Sequence, residues 1–183
     1  MSRYLIDSDA WLALRKLSVL ELMISAISAD ALPGPLLLCE YAARHELSSI
    51  SSELSTLELK THLRICAVRE RPKKLQLRGL IKKGTDKGEA EAIVWSLAQE
   101  RGSRPCFVSV DREARRMARK KGLTAGDVFD LIVDLLHKRV LNITEVESKL
   151  LVWEDRRQQL GRPSDFTNFH ETLKERQCSR WSG

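Results

Sequence analysis

Seven carboxylates stand where they could do chemistry together. They are Asp7 and Asp9 in YLIDSDAWL, Glu40 and Glu46 in LLLCEYAARHEL, Glu89 and Glu91 in DKGEAEAI, and Asp111 in CFVSVD. Asp7 directly follows the apolar run Tyr4–Ile6, and Asp111 follows Cys106–Val110. A carboxylate at the end of a buried strand loses much of its solvation unless a helix cap, an ion pair or a cation meets its charge. Two such acids side by side repel each other and raise each other's pKa. A hard divalent cation such as Mg²⁺ or Mn²⁺, which takes oxygen ligands, relieves that repulsion.

Each acid also has a purely structural explanation. Asp9 is placed to be the N-cap of a helix starting at Ala10, a reading as good as metal contact. Asp111 can cap DREARRMARKK in the same way. Asp7 is harder to explain as a cap if the helix begins after Asp9. Glu40 and Glu46 are six residues apart and do not share a helix face, so at most one points at a common centre. Asp86 and Glu89 form a D-x-x-E capping box, which accounts for Glu89 without any ligand.

The elements that must position these acids alternate along the chain. Tyr4–Ile6, Leu36–Cys39 and Cys106–Val110 are short enough to be buried strands. Between and after them lie helical patterns: Trp11–Ala29, Ser51–Val68, Lys87–Arg101, DREARRMARKKG and GDVFDLIVDLLHKR. Strands separated by helices predict crossovers, a mostly parallel central sheet and an α/β fold with helices outside. In such sheets ligands bind beyond the carboxyl ends of the strands, which puts Asp7 and Asp111 on one edge. Thr144 and Glu147 spell a capping box that opens a helix through ITEVESKLLVWEDRRQQL, stopped by Gly161 and Pro163. From Pro163 onward no periodicity is sustained. Residues 1–155 read as one domain, and 156–183 as its helical end and an appended tail, docking a partner or frayed.

Composition bounds the rest. The 183 residues are 43% hydrophobic and 31% charged, which describes one soluble domain with a real core. No apolar run approaches a membrane span. Asp7 and Asp9 interrupt any signal-peptide core, so the expectation is a cytoplasmic protein with no membrane partner. Cys39, Cys66, Cys106 and Cys178 are scattered without a CxxC pair, which argues against zinc and suits a reducing compartment. The four histidines show no ligand spacing. A net charge of +6 favours polyanionic partners, though weakly by itself.

The ordered set IDSDAWL, LLLCEYAARHEL, GEAEAIVWSLAQERG and VSVDREARRMARKKGL resembles the PIN domain, in particular the VapC-type toxin ribonucleases and their relatives with a GEAEAI segment. The resemblance covers roughly residues 3–140. It implies a Rossmann-like α/β/α sandwich, a four-carboxylate Mg²⁺ or Mn²⁺ site and endoribonuclease activity. Matched residue by residue, the first acid is Asp7. The second is Glu46, which precedes a leucine in HEL; Glu40 comes too early. The third falls in GEAEAI, as Glu89 with Glu91 in reserve, and the fourth is Asp111, with Ser109 at the small hydroxyl position before it. The chain departs from the family at Asp9, where Asn, Ser or Thr is usual, and at the third acid, which is often Asp. The resemblance further implies RNA as substrate, a cognate antitoxin that occludes the site, and homodimers.

Metal-held carboxylates can activate a water, relieve charge on a phosphodiester and assist the leaving oxygen. An acidic pocket repels RNA, so basic surroundings are needed. Arg112, Arg115, Arg116 and Arg119 recur at helical spacing directly after Asp111, and a second basic run spans Arg69 to Gly84. The first stripe is the expected phosphate track, giving salt-dependent affinity with little sequence preference. Two other readings compete. D-S-D after a strand, with GDVFD later, suggests an aspartyl-nucleophile phosphatase of the HAD type, but Trp11 stands where that family wants Thr or Val. The other is a catalytically degenerate PIN-like binding module whose acids are caps and salt bridges.

Overall fold

The structure, a computed structural model, describes residues 3–82 and 84–178. Five strands, β1 (Tyr4–Ile6), β2 (Leu36–Cys39), β3 (Leu63–Cys66), β4 (Cys106–Val108) and β5 (Ala125–Gly126), form one sheet in the order β3-β2-β1-β4-β5. Every pairing is parallel. The three shorter apolar runs expected as strands are there, the last ending at Val108 rather than Val110.

Two strands have no clear signature in the sequence. Leu63–Cys66 sits inside Ser51–Val68, where leucine spacing reads as one helix. The chain instead forms α3 (Ser51–Leu59), turns through Thr61 in the left-handed conformation, and pairs Leu63 with Leu36. β3 is an edge strand with Arg64 exposed, so it lacks the continuous apolar run of a central parallel strand. β5 is two residues long, below any periodicity.

Successive side chains on β1 enter opposite layers. Tyr4 and Ile6 join one core with Trp11, Leu14, Met23, Phe129, Ile132 and Trp153, and Leu5 joins another with Ile93, Phe107 and Ala118. Helices α1 (Ser8–Lys16), α2 (Val19–Ser28), α3, α7 (Val128–His137) and α8 (Ile143–Glu154) cover the first face. Helices α4 (Arg71–Ile81), α5 (Lys87–Leu97) and α6 (Arg112–Lys120) cover the second. The result is an α/β/α sandwich with a parallel sheet buried on both faces. Among the described residues no helix is long and apolar enough to cross a membrane.

Several helical expectations need correction. The pattern Trp11–Ala29 is two helices, broken at Ser18, whose φ of 53° is left-handed. The Thr144/Glu147 capping box does not form. Asn142 is the cap, accepting from the Thr144 amide, and Glu147 meets His170 instead. α8 also stops at Glu154, short of Gly161. From Pro163 to Cys178 the chain is not appended to the body but packed into it; residues 179–183 of the expected tail lie outside the described residues. The packed segment forms α9 (Phe169–Cys178), and Phe166, Phe169 and Leu173 are buried against Phe129 and Trp153. Three large side chains are enough to dock a segment that is otherwise polar.

Candidate functional site

Strand order fixes where a site belongs. The chain runs outward from β1 to β2 and β3, then returns to place β4 on the other side of β1, so the order reverses between β1 and β4. Such a switch point leaves a crevice at the carboxyl ends of the two strands. β1 and β4 pair as Tyr4 with Cys106, Leu5 with Phe107 and Ile6 with Val108, and the Asp7 amide continues the ladder to the Val108 carbonyl at 2.9 Å. Asp7 therefore emerges beside Ser109. The fully buried Ser109 hydroxyl donates to Asp7 Oδ2 at 3.1 Å and accepts from the Asp111 amide at 3.1 Å. One side chain ties the two aspartates across the crevice.

Asp7 itself is the N-cap of α1. Its Oδ1 accepts from the Ser8 amide at 2.9 Å, so the helix starts two residues earlier than an Asp9 cap requires. Asp9 is exposed in the first turn and turns toward the same pocket. Burial pushes the Asp7 carboxyl up to about 6; bonds from Ser8 and Ser109 pull against this, while Glu46 and Asp9 add to it. Asp111 caps α6 through Oδ1, which accepts from the Glu113 and Ala114 amides at 2.6 and 3.0 Å. Capping thus explains the backbone at both aspartates and still leaves Asp111 Oδ2 unbonded among the described residues.

Two glutamates close on Asp7 from the other side. Glu46 ends a π-helical turn, Ala42–Glu46, that leaves β2. Its carboxylate lies against Gly88 at the start of α5: a Cβ on Gly88 would stand 3.0 Å from Oε1 and 3.2 Å from Oε2. Glycine at 88 is what lets these two elements meet. Glu89 is the next residue. Asp86 caps α5 through the Gly88 amide at 2.8 Å, but Glu89 gives no return bond, so only half of the expected capping box exists. Glu89 has no hydrogen-bond partner among the described residues, and its carboxyl is pushed up to about 7, by burial first and then by Asp7, Asp111, Asp86 and Glu46.

Asp7, Asp9, Glu46, Asp86 and Glu89, with Ser8 and Leu12, line one pocket of about 250 Å³. The sequence presents Asp86 only as a cap, yet it also lines the pocket; the density of acids in DKGEAE is the signal for it. Glu91 and Glu40 lie elsewhere. Glu91 is 7% exposed and accepts from the Tyr41 amide at 2.8 Å and the Val68 amide at 3.3 Å, which pins α5 to the loops after β2 and β3. Glu40 pairs with Arg44 at 2.8 Å and Arg69 at 2.9 Å.

The arginine stripe is not the open row its spacing suggests. Arg115 donates to the Ser109 carbonyl at 2.7 Å, Arg119 makes two bonds to the Ala125 carbonyl, and Arg116 pairs with Glu113. Of the four, Arg112 alone has neither hydrogen bond nor ion pair among the described residues. The Arg69–Gly84 run contains α4, which buries no residue and rests on α5 through Leu77 and Leu80.

By donor type the acidic pocket, with Asp111 outside its lining but tied to Asp7 through Ser109, fits a hard divalent cation: every candidate ligand is an oxygen, and none of Asp7, Glu46, Glu89 or Asp111 is in an ion pair among the described residues. It is an acidic pocket rather than a closed cage. Among the described residues no group of three or more His, Cys, Asp or Glu side chains is disposed to hold a metal ion. Like charges this close gain by standing apart. No family model, curated protein or solved structure matches this chain.

Proposed function

We propose that the protein is a divalent-metal-dependent endoribonuclease, and that its α/β/α sandwich is a PIN-like one. One observation carries the reading: Asp7, Glu46 and Glu89, from three separate segments, line a single pocket at the switch point, with Asp111 tied to Asp7 through Ser109. Three structural needs would not by themselves bring unpaired carboxylates to one place. Asp7, Glu46, Glu89 and Asp111 are the residues that would hold Mg²⁺ or Mn²⁺. A bound ion would supply charge relief at the phosphate and a more acidic water.

The chain's own groups do the rest. Ser109 and the Ser8 amide hold both Asp7 oxygens in place, and the α6 cap does the same for Asp111 Oδ1. Glu89, which no hydrogen bond engages, is the carboxylate available to accept the proton of the attacking water. The phosphatase reading wants Thr or Val at position 11, where Trp11 is instead fully buried in the core. The resemblance extends the proposal to the toxin of a toxin–antitoxin pair, with an antitoxin over the acidic pocket and association into dimers.

The test is cleavage of a mixed RNA pool by purified protein with Mg²⁺ or Mn²⁺ and with EDTA, beside Asp7→Asn and Asp111→Asn. Asparagine keeps an acceptor for both helix caps, but at position 7 its Nδ2 cannot accept from the buried Ser109 hydroxyl, so a melting curve of each variant is run beside the assay. Metal-dependent cutting lost in both variants supports the proposal. Phosphate trapped on Asp7 by acid quench would replace it with the phosphatase. An absence of both cutting and metal binding would leave a binding module.

A further inference from the structure

A second cavity, of about 560 Å³, opens beside the acidic pocket, between α6, the start of α7 and the turn of residues 161–165 that leads toward α9. It begins where the acids end: Val110 and Arg112, the neighbours of Asp111, are in its wall. Its chemistry is the opposite. Five arginines (Arg112, Arg115, Arg119, Arg162 and Arg176) outnumber three aspartates (Asp127, Asp130 and Asp165). All three aspartates are met by Arg176, at 3.2, 2.6 and 2.9 Å, and Asp127 and Asp130 also cap each other's backbone at the start of α7. The negative charge is therefore answered within the wall, and the surplus is cationic.

The remaining arginines are held rather than loose. Arg115 and Arg119 are fixed by the Ser109 and Ala125 carbonyls, and Arg162 by those of Trp153 and Phe166 at 3.0 and 2.7 Å. A guanidinium carries five N–H donors, so each keeps several for a ligand. Fixed guanidinium groups facing a cavity are suited to phosphate, whose oxygens they can bond in pairs. The volume falls in the range of small-ligand sites and admits a nucleotide. Arg162, Ser164 and Arg176 all come from the C-terminal segment, which gives the packing of α9 a purpose beyond stability.

We propose that this cavity is a subsite for the phosphate of a nucleotide flanking the scissile bond. It rests on the nuclease reading and completes it, because an acidic pocket alone repels its substrate. The ligand chemistry is phosphate on a nucleic-acid strand, either an internal diester or a terminal monoester.

The test is binding of a short single-stranded RNA, with and without a 5′-phosphate, over a salt series in EDTA. Arg112→Ala is expected to weaken binding and to lower the slope of log affinity against log salt by about 1, the signature of one lost phosphate contact. Lys60→Ala, at the opposite edge of the sheet where β3 is entered, is expected to leave the slope unchanged. If removing the 5′-phosphate abolishes the difference between wild type and Arg112→Ala, the ligand is the terminal phosphate. If the difference survives, it is an internal diester. An unchanged slope in Arg112→Ala, or an equal fall in Lys60→Ala, would overturn the subsite. Because no cutting occurs in EDTA, an Arg112 effect without metal-dependent cleavage sinks the nuclease reading and with it the scissile bond, leaving the cavity as a phosphate site of a binding module, whereas cleavage without an Arg112 effect sinks the subsite alone.

Discussion

Replacing Glu89 by glutamine should stabilise the protein at neutral and alkaline pH when no divalent cation is present. The folded protein holds the Glu89 carboxyl at about 7, against an ordinary 4.5, with burial the largest cause and Asp7, Asp111, Asp86 and Glu46 adding to it. A carboxyl whose folded pKa lies above its unfolded one binds its proton more tightly when folded, so deprotonation favours unfolding. Stability therefore falls as pH rises from about 4.5 to about 7 and is flat beyond. The full gap corresponds to ~3 kcal/mol. Glu89 is part-exposed, so solvent screens some of this, and a glutamine amide still has to be accommodated. We expect a net gain of about 1–2 kcal/mol at pH 8, vanishing toward pH 4.5. Urea unfolding in EDTA at pH 4.5, 6 and 8 measures it, with constant m confirming a change in stability alone. Asp7, raised to about 6, keeps its own fall at lower pH in both proteins. A Glu89→Gln protein no more stable than wild type at pH 8, or a gap independent of pH, would show that neither burial nor the neighbouring carboxylates strain the ionised Glu89.

Three further substitutions separate positioning from stability. Gly88→Ala adds a Cβ at 3.0 and 3.2 Å from the Glu46 oxygens, so that carboxylate must shift; the helix gains up to ~1 kcal/mol, and we expect an unchanged or higher urea midpoint with RNA cleavage down about tenfold or more. Glu91→Ala strips the part-buried Tyr41 and buried Val68 amides of their acceptor, costing ~2–3 kcal/mol of unfolding free energy; calorimetric Mg²⁺ affinity should not change, and a lost metal response would return Glu91 to the site. Gly161→Ala puts a Cβ 2.4 Å from Ala13 Cβ at a φ of +77°, so a thermal melt should show a loss above ~2 kcal/mol; a wild-type melting temperature would mean that the turn holding Arg162 relaxes freely.

Much of the architecture was written locally. Continuous burial in YLI, LLLC and CFV marks strands covered on both faces, and helix-forming stretches between them require parallel crossovers. Where the sequence failed, the deciding interaction was distant. LRIC becomes a strand because β2 offers it a partner, and PSDFTNFHETLKER becomes part of the core because Phe129 and Trp153 receive its phenylalanines. The break at Ser18 splits a stretch that periodicity draws as one helix, and the cap at Asn142 starts α8 two residues earlier than a Thr144 cap would.

The carboxylates divide in the same way. Asp7 and Asp111 were legible as neighbours, because a residue that ends a parallel strand faces the same edge as its counterpart on the next. Chain order also supplied Glu46 and Glu89 as candidates through the resemblance. What sequence alone left open was which of each glutamate pair faces the pocket: Glu91 and Glu40 match their partners in type, and neither the two-residue nor the six-residue spacing says which side chain is met by a partner. The fold decided it by giving Glu91 two backbone amides, Glu40 two arginines and Glu89 no partner. It likewise turned Arg112, Arg115 and Arg119 into the wall of a cavity, because the packing of α6 on the sheet brings the carbonyls of Ser109, just past β4, and Ala125, on β5, within reach of Arg115 and Arg119. Sequence determined the kinds of group present and the edge to which the strands deliver them. Only tertiary structure determined which charges are left unanswered there, since that depends on every partner that packing brings within reach.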